Sequence, residues 1–309
     1  MFYFNLKGVQ TIRSEQDCES LFLSGGPFWH LCTPGQSTEL LFQDEKDYIT
    51  CVRLIALVQR KTGVRILTFA VMSNHLHFIL ECEKAMALAF FEMLKKKLRQ
   101  YFATINRYVN LREFNASVLG IDNLRSLRNE IVYVNRNGYL ANSAYTPFSY
   151  PWGAGCFYYN LSVPGGIAFS TLSRRDQEAF FHGRTDNAYG SLVVDGDMVL
   201  PYSFCEIERG MSFFKSGHQY FSLVSKNYEA FSEIANRLGD TICLSDDEMF
   251  STVMLISKKQ YQGERPSMLP IKQKMELAKT MRYDYNASEG QIQRMLRLDR
   301  KVVSELFGR

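Results

Sequence analysis

Two of the chain's five histidines, His75 and His77, are separated by one leucine within the segment VMSNHLHFIL. Residues i and i+2 of a strand point to the same face. A strand here therefore sets two imidazoles side by side, while Leu76, Phe78 and Leu80 point to the opposite face. Paired imidazoles on an open sheet face can hold a divalent cation. The same spacing also fits two surface histidines at alternate strand positions. A second pair lies further on. The helical segment 122–142 carries an apolar stripe at Leu124, Leu127, Ile131 and Val134. At roughly 100° per residue, Tyr133 and Asn137 fall outside that stripe. Four residues apart, they lie one above the other, and a phenol and an amide carbonyl so placed can both reach one metal-bound phosphate. A surface tyrosine is the plain alternative, since the chain has 17 tyrosines. An H-x-H strand of the barrel amidohydrolase type needs further histidines and an aspartate at later strand ends. Only His182 and His218 follow, without alternating strands and helices around them.

These residues depend on the elements that carry them. Residues 27–34 read as a short strand ended by Pro34. A helix opens at Asp44, carries apolar residues at Tyr48, Val52, Ile55 and Leu57, and meets a C-cap glycine at Gly63. The runs 64–72 and 74–82 read as two strands joined by a tight turn at Ser73-Asn74. A long basic helix follows from Lys84 to about Tyr108, and then the helix that holds Tyr133. This order predicts an α+β fold: a ferredoxin-like antiparallel sheet with helices on one face. Residues 145–170, rich in proline, glycine and aromatics, read as an ordered connector, and 171–262 as mixed and mostly helical. After a linker at 263–266, three short helices are expected. The first spans about 270–283, the second opens with a capping box at Ser288 and Gln291, and the third opens at Asp299. The last two, with a turn at Arg297-Leu298, fit a helix-turn-helix that exposes Arg300, Lys301 and Ser304. A small helical cap fits them too. The expected division is 1–155, 156–265 and 266–309.

Charge narrows the class of partner. The formal net charge is only +4 over 309 residues, yet residues 84–112 hold seven Lys/Arg against one acid, and residues 266–309 nine against five. Two separated basic segments favour a polyanion such as nucleic acid over other partners. Hydrophobic residues at 46% and charged residues at 22% exclude a disordered chain, a fibre or a coiled-coil rod. No run approaches the ~18 apolar residues of a membrane helix. The N-terminal segment lacks the pattern of an export signal. Seven scattered cysteines form no C-x-x-C pair, which argues against structural zinc and disulfides and fits a reducing cytoplasm.

HLH within VMSNHLHFIL resembles the HUH motif (His, hydrophobic, His) of single-tyrosine transposases. More broadly, PFWHLCTPG, LLFQDEKDY, LTFAVMSNHLHFILE, YVNRN at 133–137 and YPWGA at 150–154 are similar, in order and spacing, to the REP-associated tyrosine transposases and their insertion-sequence relatives. The resemblance spans about residues 25–155. It implies a ferredoxin-like HUH nuclease domain in which His75 and His77 are metal ligands, Tyr133 is the nucleophile and Asn137 is the third ligand. It implies Mg²⁺ or Mn²⁺ as cofactor and a 5′-phosphotyrosine intermediate. Its substrate would be single-stranded or hairpin DNA, tracked along the backbone by Lys95, Lys96, Lys97 and Arg99, and the protein would be a homodimer. Two departures stand out. Gly138 follows Asn137 where the family usually has proline, and Gly153 and Ala154 replace its usual serines. A non-catalytic DNA-binding protein that keeps the fold is the competing expectation.

Overall fold

The structure is a computed structural model that describes residues 12–35, 40–112, 114–141, 145–181, 187–226, 228–238, 240, 244–261 and 265–307. His182, Cys243 and residues 263–264 of the expected linker lie outside the described residues. By its internal contacts the chain divides between Leu238 and Gly239 into two compact units. This division differs from the boundaries expected after residues 155 and 265.

The first unit opens with helix α1 (Glu15–Leu23), whose N-cap Ser14 and Asp17 form a capping box. Strand β1 (Phe28–Cys32) follows, then α2 (Glu45–Thr62). The Asp44 side chain accepts from the Asp47 amide at the start of α2, and Gly63 ends it at φ 68°, the left-handed conformation that glycine takes without penalty. Strands β2 (Arg65–Val71) and β3 (Leu76–Glu81) form the expected hairpin, closed by a 2.9 Å bond from the Met72 amide to the His75 carbonyl. Helix α3 (Lys84–Thr104), strand β4 (Ser117–Ile121) and helix α4 (Leu124–Ala141) complete the α+β core.

The sheet order is β2-β3-β1-β4 with every neighbour antiparallel. That is the split β-α-β arrangement of ferredoxin-like folds. Register decides the faces. Phe69 pairs with Phe78, and Phe78 meets Phe90 of α3 at 5.3 Å between ring centroids, so this face lies under the α2–α3 side. Ala70 and Cys32 both pair with His77, and Ile79 pairs with His30 and Thr68. His30, Thr68 and His77 thus share the other face.

That second face is not open, contrary to the sequence reading. Helix α4 crosses it: the Thr68 hydroxyl donates to Oδ1 of Asn135, and Nδ2 of Asn135 donates to the Tyr220 hydroxyl at 3.0 Å. The rest of the unit packs against both helical layers, α2 as well as α4. It comprises β5 (Ile167–Ala168), α5 (Arg174–Phe180), β6 (Val193–Asp195), β7 (Met198–Val199), α6 (Ile207–Ser212), α7 (Gly217–Lys226) and α8 (Tyr228–Leu238). Strands β5 to β7 make a small separate sheet, while α7 and α8 pack on the outer side of α4. Sandwiched in this way, α4 is buried at Arg128 and at every position from Glu130 to Gly138.

The connector covers the outer edge of β2. The Val71 amide bonds the Trp152 carbonyl at 2.8 Å, and the Ala154 amide bonds the Phe69 carbonyl at 3.0 Å. A Cβ at Gly153 would stand 2.7 Å from the Phe69 oxygen, so the close strand pairing excludes a serine there. A Cβ at Gly138 would stand 2.2 Å from Cδ1 of Tyr150, whose hydroxyl is tied to the Val71 carbonyl at 2.5 Å. A proline at position 138 would have no room for the same reason.

The second unit contains α9 (Asp246–Gln260), α10 (Ile271–Tyr283), α11 (Glu289–Leu296) and α12 (Arg300–Phe307). Ser288 and Gln291 form the expected capping box, and Arg297 ends α11 at φ 50°. Buried Leu277, Ala278, Met281, Ile292, Leu296 and Val303 supply its core. No described helix is long and apolar enough to cross a membrane.

Candidate active site

The site lies between the sheet and α4. His75 sits at the end of the β2–β3 turn and His77 one residue inside β3; their ring centroids are 4.9 Å apart. The turn holds His75 through its neighbours. Asn74 Oδ1 lies 2.7 Å from His75 Nδ1, and Asn74 Nδ2 donates to the Gly35 carbonyl at 2.6 Å. Tyr133 descends from α4 with its ring 5.7 Å from that of His77, at an interplanar angle of 85°. Asn137 follows one turn later, 4% exposed.

Two residues that the sequence reading did not single out complete the cluster. His30 of β1 lies with its Nε2 at 3.1 Å from Nδ1 of His77, and its Nδ1 at 2.6 Å from the Glu130 carboxylate of α4. The His30 ring is 6.1 Å from that of Tyr133. Arg237 of α8 approaches the other Glu130 oxygen at 3.4 Å. His30, His77 and Tyr133 all have 0% exposure. Glu130 and Tyr133 are i and i+3 on α4, so one helix face presents a carboxylate and a phenol to the histidines. The sequence carried one signal for His30, a lone histidine inside the apolar strand segment FWHLC.

The burial of Tyr133 excludes the alternative of a surface tyrosine. Phe231 of α8 covers it, with ring centroids 6.3 Å apart, and the Arg136 guanidinium lies 4.2 Å over the Phe231 ring. Of the other tyrosines near the basic helix, Tyr101 donates to Asp47 at 2.6 Å, and burial pushes its pKa up to about 12. Tyr108 is fully in solvent.

A cavity of about 480 Å³ opens at the turn before His75 and the end of α4, next to Met72, Ser73 and Gly138, with walls of Tyr48, Tyr145, Tyr150 and Trp152; none of the residues of the histidine cluster lines it. A larger one, about 1350 Å³, lies along α2 and α3 on the far side of the sheet and contains none of the residues of the histidine cluster.

The expected nucleic-acid contacts divide. Lys96 and Arg99 are exposed on α3, and Lys97 is half-buried, its pKa lowered by burial and by its neighbours Lys61 and Lys96. Lys95 does not share that surface: it is 8% exposed and its amine donates to Asn115 at 2.8 Å. In the same basic segment, Arg107 is committed to Asp47 by two bonds of 2.7 Å. In the second unit Arg300, Lys301 and Ser304 are all exposed on α12.

No protein-family model matches the chain, and no curated protein does. Among solved structures, one described as a REP-associated tyrosine transposase bound to a REP hairpin matches with 14% identity. The match covers 55% of this chain and 94% of that one, at a TM-score of 0.35.

Proposed function

We propose that the chain is a metal-dependent enzyme that nicks and rejoins DNA through a covalent tyrosine intermediate. The observation that carries this reading is the convergence of His75, His77 and Tyr133 on one sheet face, with ring separations of 4.9 and 5.7 Å. The donor set fits a divalent cation. Two imidazoles lie side by side, a buried amide stands one turn from the tyrosine, and mixed nitrogen and oxygen donors suit Mn²⁺, with Mg²⁺ the abundant alternative. His75, His77 and Asn137 would hold it. When bound, such an ion polarises a scissile phosphate and stabilises charge on the leaving oxygen.

The chain's own residues supply the rest. A phenol is a weak nucleophile near neutral pH, so Tyr133 depends on placement. Its oxygen attacks phosphorus, the bond from phosphorus to the 3′ oxygen breaks, the phenolic proton leaves to solvent, and the 3′ oxygen takes up a proton. The products are a 5′-phosphotyrosine and a free 3′-hydroxyl, which can later attack the same phosphorus and release the tyrosine. Single-stranded or hairpin DNA is the substrate class. Exposed Lys96 and Arg99, on the far side of the sheet, would contact the DNA backbone away from the cleavage point, and the aromatic cavity beside Ser73 would stack an unpaired base. Arg300, Lys301 and Ser304 of the second unit would add contacts to duplex DNA.

Because Tyr133 and His77 are wholly buried, a DNA strand reaches them when covering elements move aside, and α8, which packs on Tyr133 through Phe231, is the one that would move. The same burial favours a second reading, a DNA-binding protein that keeps the fold without the chemistry. Incubation with labelled hairpin DNA and Mn²⁺ separates the two. The enzyme reading expects a covalent adduct that is lost in His75→Ala/His77→Ala. The second reading expects retained binding and no adduct, even when α8 is loosened.

A further inference from the structure

We propose that His30 and Glu130 are positioning residues that fix the tautomer and ring orientation of His77, aiming its Nε2 lone pair at the ligand site. The inference rests on the reading of His77 as a metal ligand.

The argument follows the protons. A carboxylate only accepts hydrogen bonds, and Glu130 Oε2 lies 2.6 Å from Nδ1 of His30, within hydrogen-bond reach. Nδ1 of His30 therefore carries hydrogen. In a neutral His30 the remaining nitrogen, Nε2, is then an acceptor, and it lies 3.1 Å from Nδ1 of His77. His77 must donate there, which leaves its proton on Nδ1 and the lone pair on Nε2. A neutral imidazole can bind a metal only through the nitrogen that lacks the proton, and the bond made by the other nitrogen decides which that is. A histidine ligand backed by a carboxylate is a common arrangement around metals; here a second imidazole stands between them.

The fold builds this chain from three separate elements. Cys32 pairs with His77 across β1 and β3, which places His30 two residues away on the same face. Glu130 comes from α4, one turn before Tyr133. Arg237, at 3.4 Å, offsets the charge of the buried carboxylate from outside. A buried carboxylate that served packing alone would need only a neutralising partner. This one instead acts through an imidazole on the histidine beside the tyrosine.

The test uses the full-length protein. Nitrogen NMR of ¹⁵N-histidine-labelled, chelator-treated protein reads the His77 tautomer directly. Calorimetric titration with Mn²⁺ reads affinity in the wild type, Glu130→Gln and His75→Ala/His77→Ala, with thermal unfolding as the check on folding. The expected results are an Nδ1–H tautomer at His77 and a loss of about 10–100-fold in Mn²⁺ affinity for folded Glu130→Gln. An Nε2–H tautomer in the wild type overturns the proposal without need of any variant, since it means that His30 donates to His77. Mn²⁺ binding that requires the His75/His77 pair but is unchanged in Glu130→Gln overturns it and leaves the metal-site reading intact. Absence of Mn²⁺ binding by the wild type, or binding unaffected by loss of both histidines, overturns the two together.

Discussion

Replacing Phe231 by alanine should turn the buried tyrosine into an accessible one. Phe231 is fully buried, packs on Tyr133 at 6.3 Å and carries the Arg136 guanidinium 4.2 Å above its ring. It belongs to the apolar stripe of α8 with Ile234, Ala235 and Leu238, all buried. Truncating a buried phenylalanine costs about 3–5 kcal/mol, of which the cation–π contact contributes roughly 1 kcal/mol. If the loss falls on the docking of α8, about 3 kcal/mol multiplies the fraction of molecules with α8 displaced by roughly 150, at about 1.4 kcal/mol per factor of ten. Single-turnover adduct formation on hairpin DNA should then rise by up to two orders of magnitude. Hydrogen exchange in α8 reports the opening independently, and urea unfolding verifies that the unit remains folded. Faster exchange in α8 with an unchanged adduct rate would refute the idea that this helix is the barrier between Tyr133 and DNA.

Other consequences are more local. Gly138→Ala places a Cβ 2.2 Å from the Tyr150 ring; overpacking of about 1–3 kcal/mol against a helix-propensity gain of up to ~1 kcal/mol should leave a net destabilisation, and a raised urea midpoint would contradict the account. Burial pushes the Asp47 carboxyl up, but bonds from Arg107, Tyr101 and the Gln43 amide outweigh it and hold the pKa below its ordinary value. A depressed folded pKa stabilises fully above the unfolded value and is lost as pH falls through the folded one. Unfolding midpoints should therefore drop below about pH 4, and Asp47→Asn should flatten that limb; an identical acid limb in the variant would remove Asp47 as its cause. Arg300→Ala/Lys301→Ala should lower the slope of log affinity against log salt by roughly 2 for duplex DNA, measured by fluorescence anisotropy. An unchanged slope would exclude α12 from the DNA surface.

The sequence carried the sheet's central hairpin clearly, because its signals are local: Asp44 and Gly63 bound α2, and Ser73-Asn74 marks the turn before His75. Strand β4 was not legible. SVLGI is five residues long, contains Gly120 and lies half-exposed at the sheet edge, so neither alternation nor an apolar run marks it. The pairing of His77 with Tyr133 was accessible through strand and helix periodicity together with the family resemblance. The link from His77 through His30 to Glu130 was not, since its members stand 47 and 100 residues apart and meet only once β1 pairs with β3 and α4 crosses them. The covering of that face was hidden for a related reason. The stripe Leu124, Leu127, Ile131 and Val134 accounts for one side of α4, whereas the burial of its other side depends on α7 and α8, whose packing no spacing in α4 announces.

The central claim is that Tyr133 forms a covalent bond to DNA. Its most direct test is mass spectrometry of peptides from full-length protein incubated with hairpin DNA and Mn²⁺, in the wild-type and Phe231→Ala backgrounds, each with and without Tyr133→Phe. The phenylalanine keeps the ring that packs on His77 and removes the one oxygen able to attack phosphorus. The account predicts a nucleotide mass on the peptide containing Tyr133, more abundant with Phe231→Ala, and none in either Tyr133→Phe protein. A nucleotide on any other tyrosine, an adduct that survives Tyr133→Phe, or no adduct in either background would contradict it.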